Sequence, residues 1–522
     1  MNIAYGGKTS VEAWQSLVHV CQRWRRLVLQ SRRRLNLQLF CTPETPSRDK
    51  LDTWPALPLI VNGNISLGTD NIIAALGQTN RVCKVNLWGP ADQQSERVLA
   101  AMQVSFPELT ELRLRLYDRE VPVIPDSFLG GSAPHLRSVA LDDIPFLGLP
   151  KLLSSATHLV YLALSNIPHS GYISPKAMTA LLSVLSSLDT LTLRFQSPQS
   201  RPDSESPSLP PLRRSILPAL TGIYFKGATE YIEELVMGID TPQLGFLRIT
   251  LFNQIDFDTP RLAQFINCTP TLRSLDEAHV QFDDDYVRFE LSVPSPPPNF
   301  RIAISCKEPD WQLSSIEQVC NSSLDPLSMV EDFYIEHRYS RPVWKNDPIE
   351  NTLWLQLLRP FTALKNLYLF KGSALGIVAA LQELVGDRIT EVLPSLQNIF
   401  VEGLAEPSGP FQENLGRFVA ARQLSGYPIT ISDWEDAGSE RTDSFVAEGS
   451  DSDVEEDAED DMVAPSADSA HWHAPAGPSN PTTLSVTTQP GSKSEPDRAT
   501  EAASEAADIL AVAQQGRCPN MG

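Results

Sequence analysis

No Cys-x-x-Cys pair occurs in these 522 residues. The seven cysteines, Cys21, Cys41, Cys83, Cys268, Cys306, Cys320 and Cys518, are scattered. Neither a zinc site nor a disulfide framework is expected from such spacing, and a reducing compartment fits it. No stretch approaches the ~18 apolar residues that would span a bilayer, and no apolar leader run opens the chain. The sequence therefore reads as intracellular, cytoplasmic or nuclear, with no membrane partner. On that reading the sequons at Asn64, Asn267 and Asn321 are chance matches. Catalytic phrases are missing as well. There is no GxGxxG after a strand, no GxxxxGK[ST], no HExxH and no GxSxG, so no enzyme activity, cofactor or metal is expected. Three adjacent carboxylates, Asp283 to Asp285, have no partner at ligand spacing and read as a hairpin turn.

Charge is unevenly spread. Residues 433–522 hold 20 acids and 4 bases, a net of −16, whereas residues 1–40 hold 7 bases and 1 acid, a net of +6. The whole-chain charge of −22 thus describes a tail more than a fold. The N-terminal arginines lie on the outer face and at the end of one amphipathic helix. No aromatic-basic interleaving accompanies them, so no nucleic-acid partner is expected.

What is abundant is a short phrase, apolar-x-x-apolar-x-apolar. It reads VCKVNL from Val82, LTELRL from Leu109, LRSVAL from Leu136, LVYLAL from Leu159 and LDTLTL from Leu188. It continues as LTGIYF from Leu220, LGFLRI from Leu244, an imperfect LRSLDE from Leu272, VEDFYI from Val330, LKNLYL from Leu364 and LQNIFV from Leu396. Any single copy is weak, because three apolar positions coincide by chance about 7% of the time in so apolar a chain. The intervals are what matter: 27, 27, 23, 29, 32, 24, 28, 58, 34 and 32 residues. The gap of 58 is two periods, with a degenerate strand, NFRIAI from Asn299, near its middle.

Helical stripes fall between the strands. SPKAMTALLSVL opens with Ser174 as N-cap and Pro175 at the first helical position. TEYIEELVMGI and SALGIVAALQELVGD carry the same apolar stripe, and FQENLGRFVAARQLSG ends on Gly426, a helix stop. A strand and a returning helix, repeated about eleven to thirteen times, predict an α/β solenoid of leucine-rich-repeat type, with parallel strands on its concave face. Thr110, Arg137, Thr190, Arg248 and Asn398 are expected on that face, where a target protein would be read. Two Pro/Ser-rich stretches, 196–211 and 293–299, read as loops.

Near the start, Trp14, Leu17, Val18, Cys21, Trp24, Leu27 and Val28 recur at helical spacing. The order Trp14, Leu17, Val20, Cys21, Trp24 and Arg25 resembles the second half of an F-box. The continuation RRRLNLQL and the ending FVAARQLSGYPITISDW resemble fungal F-box proteins with leucine-rich repeats. The proline-containing first half of the motif has no counterpart in residues 1–13, so the resemblance is to an N-terminally truncated F-box. It implies three regions: a partial helical F-box over 1–40, the repeats over 41–434, and a tail over 435–522. It also implies a non-catalytic substrate-recognition subunit of a Skp–cullin–F-box ubiquitin ligase. Trp14, Leu17, Val20, Cys21, Trp24 and Arg25 would face the Skp-type adaptor. The alternative is an adaptor-independent repeat scaffold that binds protein through its strands.

The tail is acidic and rich in Pro, Ser and Ala. It has too few apolar residues to offset chain entropy and is expected to be disordered. Ser450 and Ser452 precede acidic residues in a pattern that acid-directed kinases prefer.

Overall fold

The computed structural model describes residues 21–23, 26 and 36–434, the last range apart from 45–50, 52–55, 118–122, 146, 199–213, 253–258, 274, 294–298, 323, 338–347, 385 and 403–409. The tail and most of both Pro/Ser-rich stretches lie outside the described residues.

A single sheet of sixteen strands organises the described residues. Its first seven strands are neighbours in chain order: β1 (Leu37–Phe40), β2 (Leu59–Asn64), β3 (Val82–Pro90), β4 (Glu111–Tyr117), β5 (Ser138–Asp142), β6 (Tyr161–Ile167) and β7 (Thr190–Phe195). A two-residue strand, β8 (Ser215–Ile216), pairs only with β10 (Ile239–Asp240), outside the main sheet. The main sheet continues with β9 (Gly222–Gly227) and β11 (Phe246–Leu251). It closes with β15 (Asp332–His337), β16 (Asn366–Leu369), β17 (Asn398–Val401) and β18 (Thr430–Asp433). The sheet begins at Leu37, inside the segment 1–40 that the sequence assigned to a helical F-box portion, because Leu37 and Leu39 bury against β2.

The repeated phrase explains the geometry. Its first leucine sits just ahead of each strand, and Leu109, Leu136, Leu159, Leu188, Leu220 and Leu244 are all buried. The next two apolar positions alternate inward, as the period of two in a strand demands. Beside these leading leucines runs a backbone ladder. Thr110 N–H donates to Cys83 O, Arg137 to Thr110, Val160 to Arg137, Asp189 to Val160, Thr221 to Asp189 and Gly245 to Thr221, at 2.7–2.8 Å. Each repeat thus supplies the acceptor that the next one needs, which is why stacking stabilises units that could not fold alone.

Helices return the chain on the leucine side of the sheet. Ser174 caps the Pro175–Leu182 helix through Ala177 N–H at 3.2 Å, and Gly426 ends the Pro410–Leu424 helix at φ 82°. One helix caps another: buried Glu233, on the Thr229–Gly238 helix, accepts from Arg261 N–H (3.1 Å) and Leu262 N–H (2.7 Å). Those donors open the Pro260–Cys268 helix, where a carboxylate complements the positive end of the dipole.

The regular succession breaks once. Between β11 and β15 lie three strands in reversed order, β14 (Phe300–Ser305), β13 (Tyr286–Ser292) and β12 (Glu277–Phe282). Strand β13 runs antiparallel to both its neighbours, whereas β12 and β14 keep the direction of the array. The 58-residue interval therefore holds a meander in place of two plain repeats. LRSLDE from Leu272 is not itself a strand; the strand starts at Glu277, where the phrase ends. Asp283 to Asp285 make the β12–β13 turn, and buried Gln312 fastens it by donating to Asp283 O and Cys306 O, both at 2.7 Å.

At the first edge, Gly68 marks a kink in the Ile65–Leu76 helix where it presses on the residue after β1. A Cβ there would stand 2.0 Å from Cys41 O. Gly68→Ala is expected to cost about 2 kcal/mol by overpacking, with the loss confined to β1. Amide exchange at Leu39 and Cys41 should accelerate while β16 and β17 keep their protection. Gly416, on the exposed side of the last helix, meets nothing within 4 Å. Its replacement by Ala should be neutral or stabilise by up to about 1 kcal/mol.

Candidate protein-binding face

Alternation leaves the opposite face of the sheet to the third and fifth positions of each phrase. These form rows that cross the strands in register. The fifth-position row runs Asn86, Arg113, Ala140, Ala163, Thr192, Tyr224, Arg248, then Arg301, Glu290 and His279 through the meander, then Tyr334, Tyr368 and Phe400. The third-position row includes Glu111, Ser138, Tyr161 and Thr190, and later Glu277, Asp332, Asn366, Asn398 and Thr430.

Three chemical zones divide this face. On β3 to β5 the charges neutralise one another, across strands in Lys84–Glu111 at 2.7 Å and Arg115–Asp142 at 3.3 Å, and along β4 in Arg113–Glu111 at 3.1 Å. The middle zone, β7, β9, β11, β14 and β13, is basic. Its face positions carry Arg194, Lys226, Arg248, Arg301 and Arg288 against one carboxylate, Glu290. Arg301 Nε lies 2.6 Å and Arg288 Nε 3.8 Å from Glu290 Oε1. Arg248 leans over the Tyr224 ring at 5.5 Å, and Arg288 over Tyr286 at 5.1 Å.

The last zone is aromatic and acidic. His279, Tyr334, Tyr368 and Phe400 stack ring on ring at 4.3, 4.2 and 4.6 Å with interplanar angles of 4°, 8° and 11°. Trp434 folds back against Tyr334, Tyr368 and Phe370 at 5.7–6.0 Å. Beside the rings, Asn366 donates to Asp332 at 2.8 Å, Asn398 donates to Asn366 at 2.7 Å, and the Thr430 hydroxyl bonds to Asn398. Burial drives the His279 imidazole down to about 3, so it is neutral at pH 7. Burial is also the first cause raising the Tyr334 phenol, with Tyr368, Asp332 and Glu277 adding to it.

Of the five target-facing residues expected from the sequence, Thr190, Arg248 and Asn398 stand in the two rows. Thr110 and Arg137 do not. They occupy the second position of the phrase, in phase with the buried leucines, and belong to the backbone ladder; the Thr110 hydroxyl is bonded to Cys83 O at 2.9 Å. The period of two would have selected Arg113 and Ala140. Sequence reasoning missed Lys226 and the whole aromatic stack, although Tyr224, Tyr334, Tyr368 and Phe400 all hold the fifth position. Arg301 was within its reach, as the third position of NFRIAI, but Arg288 and Glu290 were not, since β13 lies outside the phrase.

The adaptor-facing residues Trp14, Leu17, Val20, Trp24 and Arg25 lie outside the described residues. Cys21 is exposed, and Gln22, Arg23 and Arg26 beside it are helical and exposed. Among the described residues no group of three or more His, Cys, Asp or Glu could hold a metal ion. Among them, too, no helix is long and apolar enough to cross a membrane.

Fold and face together define a mixed α/β repeat protein whose long, mostly parallel sheet presents one side-chain face free of leucines. No protein-family model and no curated protein matches the sequence. Among solved structures the chain is similar to the leucine-rich repeat-containing protein LegL7 from Legionella pneumophila, at 13% identity and a TM-score of 0.27. That likeness covers 76% of this chain and 99% of the other.

Proposed function

We propose that this chain is a non-catalytic substrate-recognition subunit of a Skp–cullin–F-box-type ubiquitin ligase, acting inside the cell. The observation that carries the reading is an F-box-like helix phrase, Trp14 to Arg25, joined to a strand–helix repeat array. The helix phrase would bind a Skp-type adaptor through Trp14, Leu17, Val20, Cys21 and Trp24, with Arg25 and Arg26 at the edge of the contact. The face of the sheet would hold a target protein in reach of the ubiquitin-transferring machinery. Leucines at the first, fourth and sixth positions are committed to the core, whereas the third and fifth differ from repeat to repeat. This separation of scaffold from reader suits a receptor whose partner differs from one repeat protein to the next.

Co-expression of the full chain with a Skp-type adaptor tests this. The expected result is a complex that survives gel filtration and is lost when Leu17→Ala and Trp24→Ala are combined, while Arg113→Ala on the sheet leaves it intact. Were the chain to retain a target protein yet bind no adaptor, the adaptor-independent scaffold would be the correct reading.

A further inference from the structure

A directed ladder of polar side chains runs across β15 to β18 and stops at an open edge of the sheet. Asn366 Nδ2 donates to Asp332 Oδ1 at 2.8 Å, Asn398 Nδ2 donates to Asn366 Oδ1 at 2.7 Å, and the Thr430 hydroxyl donates to Asn398 Oδ1. The direction is fixed at one end, because an ionised carboxylate can only accept. Asn366 must offer its amide nitrogen to Asp332 and its oxygen to the next strand, and Asn398 does the same toward Thr430. The Thr430 proton is thereby committed to Asn398. On its outer side the hydroxyl can only accept, and among the described residues nothing donates to it. The backbone is arranged likewise. Thr430 N–H donates to Gln397 O at 2.9 Å and Trp434 N–H to Val401 O at 3.1 Å, so alternation turns the Ile431 N–H outward. Among the described residues no strand pairs with that outer side. Thr430 is exposed, and Thr430–Asp433 holds no lysine, proline or bulge of the kind that protects an edge.

We infer that β18 takes up one further parallel strand, an extended segment of a partner protein. That segment has a donor side chain opposite Thr430, an apolar residue on either side of it, and lysines or arginines just after it. The inference deepens the target-binding half of the proposed function, and rests on that reading only in taking the partner to be a protein. Main-chain bonds to the edge would hold the strand, and its side chains would give the specificity. Each requirement has its own source. An Asn, Gln, Ser or Thr opposite Thr430 continues the ladder, since it meets an oxygen that can only accept. Its two neighbours fall on the leucine side, beside Ile429 and Ile431, and Ile431 is only partly buried where the core ends. A parallel direction keeps the even spacing that the β15–β18 row uses. It also lays the partner's basic flank toward the chain that leaves β18. There the sequence continues with Glu435 and Asp436, and residues 435–522 hold 19 acids and 4 bases, a net of −15. Self-association meets the wrong charge in either form. β18 against β18 would bring two such acidic stretches together. A second copy's β1, laid parallel, would place Arg32 to Arg34 toward the start of β18, because those arginines precede Leu37.

The test uses the full chain and four labelled peptides of about ten residues, long enough to cover the strand and its flank, read by fluorescence polarisation. The first carries an apolar–Asn–apolar core followed by lysines. The second replaces the Asn by Leu, the third puts the lysines ahead of the core, and the fourth replaces them by glutamates. The first is expected to bind about fivefold more tightly than the second, the worth of one donor hydrogen bond. It should bind about tenfold more tightly than the third and fourth, by a margin that shrinks as salt is raised. Thr430→Val keeps the side chain's shape and removes its oxygen, so the first two peptides should then bind alike. Thr430→Ser should keep the preference. The bound first peptide should slow amide exchange at Ile431 and leave Leu112, on β4, unchanged. The inference is overturned if the first peptide does not bind, if the third or fourth binds as tightly, if Thr430→Val keeps the preference for Asn, or if exchange at Ile431 is unmoved. Failure of adaptor binding in the co-expression experiment would remove the ligase reading and leave these outcomes unaffected.

Discussion

Acidification from pH 7 to pH 5 is expected to remove about 4 kcal/mol from the middle of the array, about 2 kcal/mol for each of two buried histidines. His279 is pushed down to about 3 and His337 to about 4, in both cases by burial. His279 lies in the ring stack on β12, next to Tyr334. His337, on the leucine side of β15, stacks on Phe282 at 5.0 Å. The sign follows from the depressed values. An unfolded histidine protonates near pH 6.5 while the folded one stays neutral, so the unfolded state binds more protons as pH falls. Their stabilising contribution is complete above about pH 6.5 and is lost progressively below it, down to the folded values. Most carboxylates remain ionised at pH 5, so the window isolates the histidines. Urea midpoints measured between pH 7 and pH 5 should fall steeply. His279→Phe and His337→Phe, which keep a ring in each stack, should each remove about half of the slope. A midpoint flat across that window would refute the prediction.

Arg422→Ala should cost about 3 kcal/mol and detach the last repeats. The side chain is fully buried, at 0% exposure, on the final helix. Its guanidinium donates to Ile389 O at 3.1 Å, Leu393 O at 3.4 Å and Leu396 O at 3.2 Å, and it sits 5.6 Å from the Tyr427 ring. Burial lowers its pKa from the usual value, with Tyr427 acting in the opposite direction. The three carbonyls belong to the turn that leads into β17, so one arginine ties the closing helix to the repeat before it. Alanine removes the guanidinium donors from all three, leaving Leu393 O only its bond from Leu396 N–H, and opens a cavity. Lysine should recover little, because a point ammonium cannot reach three acceptors as a planar fork can. Because repeats contact only their neighbours, the loss should be local. Thermal unfolding should split into two steps, with exchange accelerated at Ile399 and Ile431 and unchanged at Leu112 and Leu141.

How far the sequence led can be judged on particular strands. From Val82 to Leu244 every phrase coincides with a strand, because a repeat makes each unit's environment the same as its neighbour's. The helix start at Ser174 and the stop at Gly426 were legible for a similar reason: a cap is satisfied by atoms within a few residues. Of the meander, the strand from Asn299 and the hairpin turn at Asp283 to Asp285 were legible, but the reversed order and the antiparallel run of β13 were not. β12 to β14 alternate like any strands, and which edge they join depends on where the sheet has an unpaired neighbour. Nor was Arg422. An arginine in a helical stripe reads as solvated until the turn beneath it is known.

The amino-acid order by itself determined that strands and helices alternate at about thirty residues, that leucines at set positions form the core, and that no catalytic or metal-binding phrase is present. Those properties depend on local periodicity and residue chemistry, which need no distant partner. Only the tertiary structure decided that β13 runs against the array, that like charges meet across β7–β9 and β11–β14, and that four rings from separate repeats form one stack. Register between strands far apart in the chain sets those contacts, and register is a property of the assembled sheet.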